Sequence, residues 1–370
     1  MEGRFWFSNS YGEAAGRFLI ACDELKNAGH NVVSDRLELG MKGPSGEPLC
    51  IDVAIVGSLS SGRVLISSSG VHGVEGYPGS AVQLAIMSDM CKEAPFKDHA
   101  IIFIHVVNPY GMAWYRRFNE NNVDLNRNFI NSDEEYSGVP EGYNNVNYFI
   151  NPQSPPKKKE RWFKLKAFQF ILKYGFNNLK QCIAEGQYEH PRSIQYGGSE
   201  LQPGPKILID WLDVTLDGVT KIWAIDLHTG LGPSGFDTLL ISAGMSNEDL
   251  QYLDKLFPGH VQSLDPNAGV GYQIRGDLHQ GLEDRYKDAK WLSITQEFGT
   301  FKPLDVLLAV RQENRWTQYG NYYDQVEARR HWSRENILRA FNPRDEVWQA
   351  KITHRGRTVF STARDDLLNS

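Results

Sequence analysis

The chain has 370 residues, 41% hydrophobic and 23% charged, with a formal net charge of −6; that is ordinary globular composition, enough for one large core, and it carries no basic field to draw in nucleic acid. Cys22, Cys50, Cys91 and Cys182 are scattered, with neither the density of a disulfide framework nor the paired spacing of a cysteine metal site. No apolar run approaches the ~20 residues that span a bilayer, and the start, "MEGRFWFSNSYGEAAGRF", has no secretory apolar stretch, so a soluble cytoplasmic protein without a membrane or nucleic-acid partner is expected.

In chain order, "YGEAAGRFLIACDELKNAGH" is patterned as an amphipathic helix ending at Gly29. "PLCIDVAIVG" and "RVLISSSG" are short Val- and Ile-rich runs bounded by glycine, and are expected to be strands. "YPGSAVQLAIMSDMCKEA" is helical in pattern, and "HAIIFIHVVNPYG" is a continuous apolar strand followed by a turn. Residues 130–156 are polar and read as a long surface excursion. The next stretch, "KKKERWFKLKAFQFILKYGFNNLKQCIAEG", predicts a basic amphipathic helix whose lysines form a solvated start. Further on, "KIWAIDLHTG" and "WLSITQEFGT" repeat a pattern of apolar run, polar group, glycine, and "ARRHWSRENILRAF" predicts a late helix. Strands alternating with helices argue for an α/β fold: one domain with a largely parallel, mixed twisted sheet flanked by helices. The expected domain covers residues 1–340, with a helical insertion at about 130–200, and residues 341–370 form a C-terminal extension, either packed on it or partly disordered.

In such sheets the ligand crevice lies beyond the carboxyl ends of the strands. Four predicted strand ends carry polar residues there. The first, "SSSGVHGVEGYPGSA", sets His72 and Glu75 three apart among Gly70, Gly73, Gly76 and Gly79. A bare His-x-x-Glu is weak evidence alone, and a surface loop gives it as readily. A phosphate-cradling loop fits less well, because the glycine spacing differs and Glu75 would repel an anion. The second, "NPYGMAWYRRFNENNVDLNRNF", gathers Arg116, Arg117, Asp124, Asn126, Arg127 and Asn128, a set suited to a planar carboxylate or simply to a salt-bridged loop. His228 in "AIDLHTGLG" and Glu297 in "SITQEFGTF" end the other two. Taken alone, His228 reads as a satisfied core residue, whereas a buried Glu297 is costly unless paired or functional. Together they converge on two imidazoles and two carboxylates with arginines beside them. Two imidazoles and one carboxylate make an open zinc site, leaving a glutamate for proton transfer and an arginine for an oxyanion.

At this point the chain resembles the zinc carboxypeptidases of the carboxypeptidase A type, with their succinylglutamate desuccinylase and aspartoacylase relatives. "GVHGVEG", "NPYG…RRF…DLNRNF", "DLHTG" and "EFGT" match in order, spanning residues 64–300. The resemblance implies one Zn2+ held by His72, Glu75 and His228. It implies that Glu297 is the proton-transfer base, that Arg117, with Arg116 as neighbouring candidate, polarises the scissile carbonyl, and that Asn126 and Arg127 receive the substrate's carboxylate. Asp124 would orient the first zinc histidine through its other ring nitrogen. The loop glycines are expected to allow the backbone angles and to keep bulk away from substrate.

Two departures accompany the match. The family's mobile tyrosine has no well-spaced counterpart: Tyr272 and Tyr286 are the candidates, and Arg275 is an alternative contact for a substrate anion. The 130–200 excursion has no counterpart in the simple digestive enzymes and would narrow the mouth of the site. The implied function is zinc-dependent hydrolysis of an amide bond next to a carboxylate-bearing residue, by a metallocarboxypeptidase acting on peptides or, alternatively, by an N-acyl amino acid deacylase. A non-catalytic peptide- or glycan-binding protein on the same scaffold is the rival from another class, and Glu297 argues against it. A serine hydrolase lacks its G-x-S-x-G elbow here. His105, Asp226 and His279 are polar enough to support a second ion, but core or surface hydrogen bonding is the favoured reading of them and one ion is expected.

Overall fold

The computed structural model describes residues 2–130, 136–242, 245–264 and 274–369, with side chains from residue 4 onward. Eight strands among them build one mixed sheet: β1 (Val32–Lys42), β2 (Pro48–Gly57), β3 (Arg63–Ser69), β4 (Ala100–His105), β5 (Lys221–Gly230), β6 (Asp237–Ile241), β7 (Val261–Ser263) and β8 (Lys290–Gly299). Their order is β1-β2-β4-β3-β5-β8-β6-β7. The central four, β4-β3-β5-β8, are mutually parallel, and β2 and β6 flank them antiparallel.

Parallel strands covered on both faces read as unbroken apolar runs, which is why "AIIFIH" and "KIWAID" stand out in the sequence. β1 does not, because it lies at the sheet's edge and its side chains are all partly or fully exposed. Helices Tyr11–Asn27, Gly76–Met90 and Glu346–Asn369 cover one face, burying Phe18, Leu25, Val82, Met87, Trp223 and Phe360. Residues 346–369 therefore share the main core, with Ile352, Val359, Ala363 and Leu367 wholly buried. Helices Pro203–Thr215 and Leu278–Arg285 cover the other face with Leu208, Leu212, Leu278 and Leu282.

The excursion holds more structure than its polarity suggests. Tyr143, Val146 and Ile150 bury one stripe of a short helix, Tyr143–Ile150, in an asparagine-rich stretch. The long basic helix is two, Phe163–Tyr174 and Phe176–Ala184, broken at Gly175, whose φ of 80° and ψ of 149° lie where essentially only glycine is at ease. These helices pack with Pro303–Tyr319 and Trp332–Phe341 through Tyr143, Leu179, Val310 and Ile337. Lys164 pairs with Asp305 at 2.6 Å, while Trp162, Leu165, Phe168 and Leu172 are exposed on the outer face.

Candidate metal centre

Beyond β3 the chain turns at Gly70 (φ 66°), and His72 caps a single turn, Gly73–Glu75, that leads into the helix from Gly76. Gly70 alone of the four loop glycines has positive φ. At Gly73 a Cβ would lie 2.1 Å from the backbone carbon of Gly111, so the turn presses directly on the short helix Pro109–Trp114. The glycine there serves close packing of backbone on backbone; clearing room for substrate, the expected reason, is not what fixes it.

His228 and Glu297 are directly paired residues in the parallel register of β5 and β8, so both side chains leave the same face of the sheet. Glu75 bridges the two histidines: its Oε1 is 2.9 Å from His72 Nδ1 and its Oε2 3.2 Å from His228 Nδ1. The rings stand 4.9 Å apart at 80°. One ligand atom from each of His72, Glu75 and His228 lies within 4.8 Å of the others, all three side chains being buried.

The outer nitrogen of each ring meets a carboxylate. His72 Nε2 is 3.0 Å from Asp124 Oδ1, and His228 Nε2 is 2.6 Å from Asp226 Oδ2. Asp226 also accepts from Ser68 Oγ at 2.7 Å. That pattern fixes both rings with Nδ1 facing inward, and His72 Nδ1, although 2.9 Å from Glu75, is buried without an aligned hydrogen bond. A buried ring nitrogen left in that state, beside a carboxylate and a second imidazole, is what a divalent cation would satisfy. The residues fit the ion.

The same charges set the protonation states. Burial would raise the Glu75 carboxyl, but His72 and His228 hold it well below the usual carboxylate range. Asp124 is likewise held far down, against its burial, by His72 and Arg117. His228 is raised well above an ordinary histidine, chiefly by Asp226, again against the effect of burial. Glu297 goes the other way: burial and the nearby Glu75 charge raise it to about 7, although Leu231 N–H donates to its Oε1 at 2.8 Å.

Of the two adjacent arginines, Arg117 faces this cluster. Its Nη1 is 3.1 Å from Glu75 and its Nε 3.2 Å from Asp124. Arg116 is turned away, pairing with Glu313 at 3.0 Å and with Asn122 and the Asn119 carbonyl. Asn126 and Arg127 line the same cavity as the cluster. Arg127 sends Nε and Nη2 to the Ala184 carbonyl and Nη1 to the Asn126 carbonyl, while Leu278 N–H donates to Asn126 Oδ1 at 3.0 Å.

The other sequence candidates lie elsewhere. His105 hydrogen-bonds Ser80 at 2.8 Å and stacks on Phe18. His279 is buried on the helix from Leu278, and burial lowers its pKa. Tyr286 pairs with Asp213 at 2.9 Å, outside the cavity lining. Arg275 rests over the Tyr188 ring at 4.5 Å and donates to the Ser137 carbonyl at 2.7 Å. Tyr272 is outside the described residues. The residue whose place sequence reasoning missed is Asp226, taken there only as a second-ion candidate. Its signal was available, since Asp226 and His228 are two apart on one strand and must share a face.

A family model described as "Protein of unknown function (DUF2817)" matches residues 7–355. The chain belongs to that family. No curated protein matches it. Among solved structures, carboxypeptidase A from Helicoverpa armigera is similar at 16% identity and a TM-score of 0.45, over 95% of this chain and 74% of that one. An aspartoacylase family protein from Mesorhizobium loti gives 15% and 0.37, over 80% and 68%. Murein-tripeptide amidase MpaA from Escherichia coli O157 gives 15% and 0.36, over 79% and 93%. No helix among the described residues of this family member is long and apolar enough to cross a membrane.

Proposed function

We propose that this chain is a zinc-dependent hydrolase of an amide bond whose amine half carries a carboxylate. The observation that carries the reading is the convergence of His72, Glu75 and His228 within 4.8 Å, with Nδ1 of both rings turned onto the Glu75 carboxylate. A divalent cation bound there supplies Lewis-acid polarisation and lowers the pKa of water toward ~7. Glu297, on the strand beside His228, accepts a proton from the attacking water and returns it to the departing nitrogen. The C–O bond forms first, turning the carbonyl oxygen into an oxyanion, and the C–N bond breaks as that oxyanion collapses. Arg117 offers N–H donors to the oxyanion once it leaves Glu75 and Asp124. Asn126 and Arg127 hold the substrate carboxylate; three of the five guanidinium N–H groups of Arg127 already face carbonyls, leaving two for it.

Both a metallocarboxypeptidase and an N-acyl amino acid deacylase use this arrangement. The apolar lining of the cavity beyond it favours the acyl substrate. The test is to offer the zinc-loaded protein a panel of N-acyl amino acids and dipeptides, each with its C-terminal carboxylate free or amidated. Cleavage of the free acids alone is expected. Equal cleavage of the amidated forms would remove Asn126 and Arg127 from their role, and cleavage of none would remove the hydrolase.

A further inference from the structure

The metal cluster lines a cavity of about 500 Å³. Outside the cluster the walls are mostly hydrocarbon: Leu240 and Leu264 on the sheet side, Phe170, Ile171 and Ile183 from the excursion, and Leu307 from the helix Pro303–Tyr319. Among the described residues of the lining, Lys180 is the charged one apart from the cluster and Arg127, and it is half-buried. β6 and β8 explain the sheet wall. Thr238 pairs with Glu297 and Leu240 with Thr295; Glu297 is buried, while Thr238, Leu240 and Thr295 are partly buried and line the cavity. Phe170 and Ile171 of the excursion line the same space, partly exposed to it while packing against the core beside Tyr143 and Leu179, so the cavity keeps an apolar wall there.

We propose that the substrate of this site carries a medium- or long-chain aliphatic acyl group, and that the cavity between β6–β8 and the helices Phe163–Tyr174 and Phe176–Ala184 holds that chain. The inference rests on the amide-hydrolase reading above and names the substrate class of the same site. The choice between a hydrocarbon chain and a peptide follows from the lining. A peptide would bring an N–H and a C=O every residue, and each must find a partner or lose its hydrogen bonds to water. Among the described residues, the lining outside the cluster offers a few polar side chains, chiefly Lys180, Gln195, Gln262, Thr238 and Thr295, and otherwise mostly aliphatic and aromatic groups. An alkyl chain has nothing to satisfy, and each buried methylene raises affinity about fourfold. In the reaction, water's oxygen joins the acyl carbon, the amide C–N bond breaks, and the nitrogen takes the proton. The products are a fatty acid and a free amino acid.

The experiment compares kcat/KM of the zinc-loaded protein for N-acetyl-, N-octanoyl- and N-tetradecanoyl-leucine and for the tripeptide Leu-Leu-Leu. A rise of about 100-fold or more from acetyl to the best longer chain, with the tripeptide well below that, is expected. Ala167→Trp, which fills the cavity from the helix Phe163–Tyr174, should abolish the gain and leave the acetyl rate unchanged. Should that variant misfold, the smaller Ala167→Leu is read in its place. Tetradecanoate binding to the zinc-loaded Glu297→Gln protein, by titration calorimetry, should be at least about 100-fold tighter than acetate binding. A flat chain-length series in an active enzyme, a faster tripeptide, or tetradecanoate binding no tighter than acetate overturns the acyl-chain inference and leaves the hydrolase reading standing. No cleavage of any compound, with tetradecanoate still bound tightly, overturns the hydrolase reading instead.

Discussion

At the carboxyl ends of β3, β5 and β8, ionisable groups are buried in matched sets: His72 with Asp124, His228 with Asp226, Glu75 between the two rings. In the excursion from 136 to 200, by contrast, the side chains that meet the cavity are mostly hydrocarbon, and Lys164, Lys166 and Lys173 stand on the outside. Buried charge must be paired to be tolerated, so the first region permits few substitutions and fixes a geometry. Apolar contact is non-directional, so the second region can vary in sequence while keeping its volume. On the function proposed above, one region carries the chemistry and the other selects what reaches it.

Variants in the paired region should have the largest effects. Glu297→Gln should lower kcat/KM by about 10³-fold while metal content stays at the wild-type value, the scale of a lost general base; kinetics and elemental analysis on one preparation check both halves. Next, Asp226→Asn should weaken metal affinity about 10- to 100-fold through the orientation of His228. A chelator competition titration measures it, and unchanged affinity would mean that the short contact to His228 does not govern the ligand. Arg127→Met should raise KM for a carboxylate-bearing substrate by about 10- to 100-fold, the worth of charge-assisted hydrogen bonds, with a smaller effect on kcat.

A pH profile sharpens the same contrast. Glu297 must be ionised to accept a proton, and burial with the Glu75 charge places its carboxyl at about 7. The rate constant kcat/KM should therefore fall about tenfold per pH unit on the acid side. A cation that neutralises Glu75 moves that limb below 7, toward an ordinary glutamate, and the same acid limb persisting in the residual activity of Glu297→Gln would exclude Glu297 as the base. The smallest effect on the site is expected from the excursion. Gly175→Ala should destabilise the protein by about 1–3 kcal/mol, because alanine resists φ 80° and ψ 149°. Metal affinity should not change, and thermal melts beside the chelator titration separate the two.

The sequence was most readable where the physics is strictest. Strands buried on both faces announce themselves as apolar runs, and polar residues at their ends mark the crevice, so His72, Glu75, His228 and Glu297 could be singled out. The edge strand β1 and the short β6 and β7 could not, because exposed or partly exposed strands leave little alternation to detect. The helix Tyr143–Ile150 was hidden by four asparagine and tyrosine side chains between its buried positions, and the break at Gly175 by an otherwise continuous helical stripe. The choice between Arg116 and Arg117 depended on which way the Trp114–Phe118 turn faces, a matter of tertiary packing. Asp226 was legible in principle and was read for the wrong partner.

Divalent metal bound per chain, measured for the wild type and for His72→Ala and His228→Ala after dialysis against a trace of zinc, tests the central claim most directly. The account predicts one ion per chain in the wild type and loss of that ion in both variants, with the fold retained by circular dichroism. A wild-type chain that takes up no ion, or variants that keep it, would contradict the account at its base.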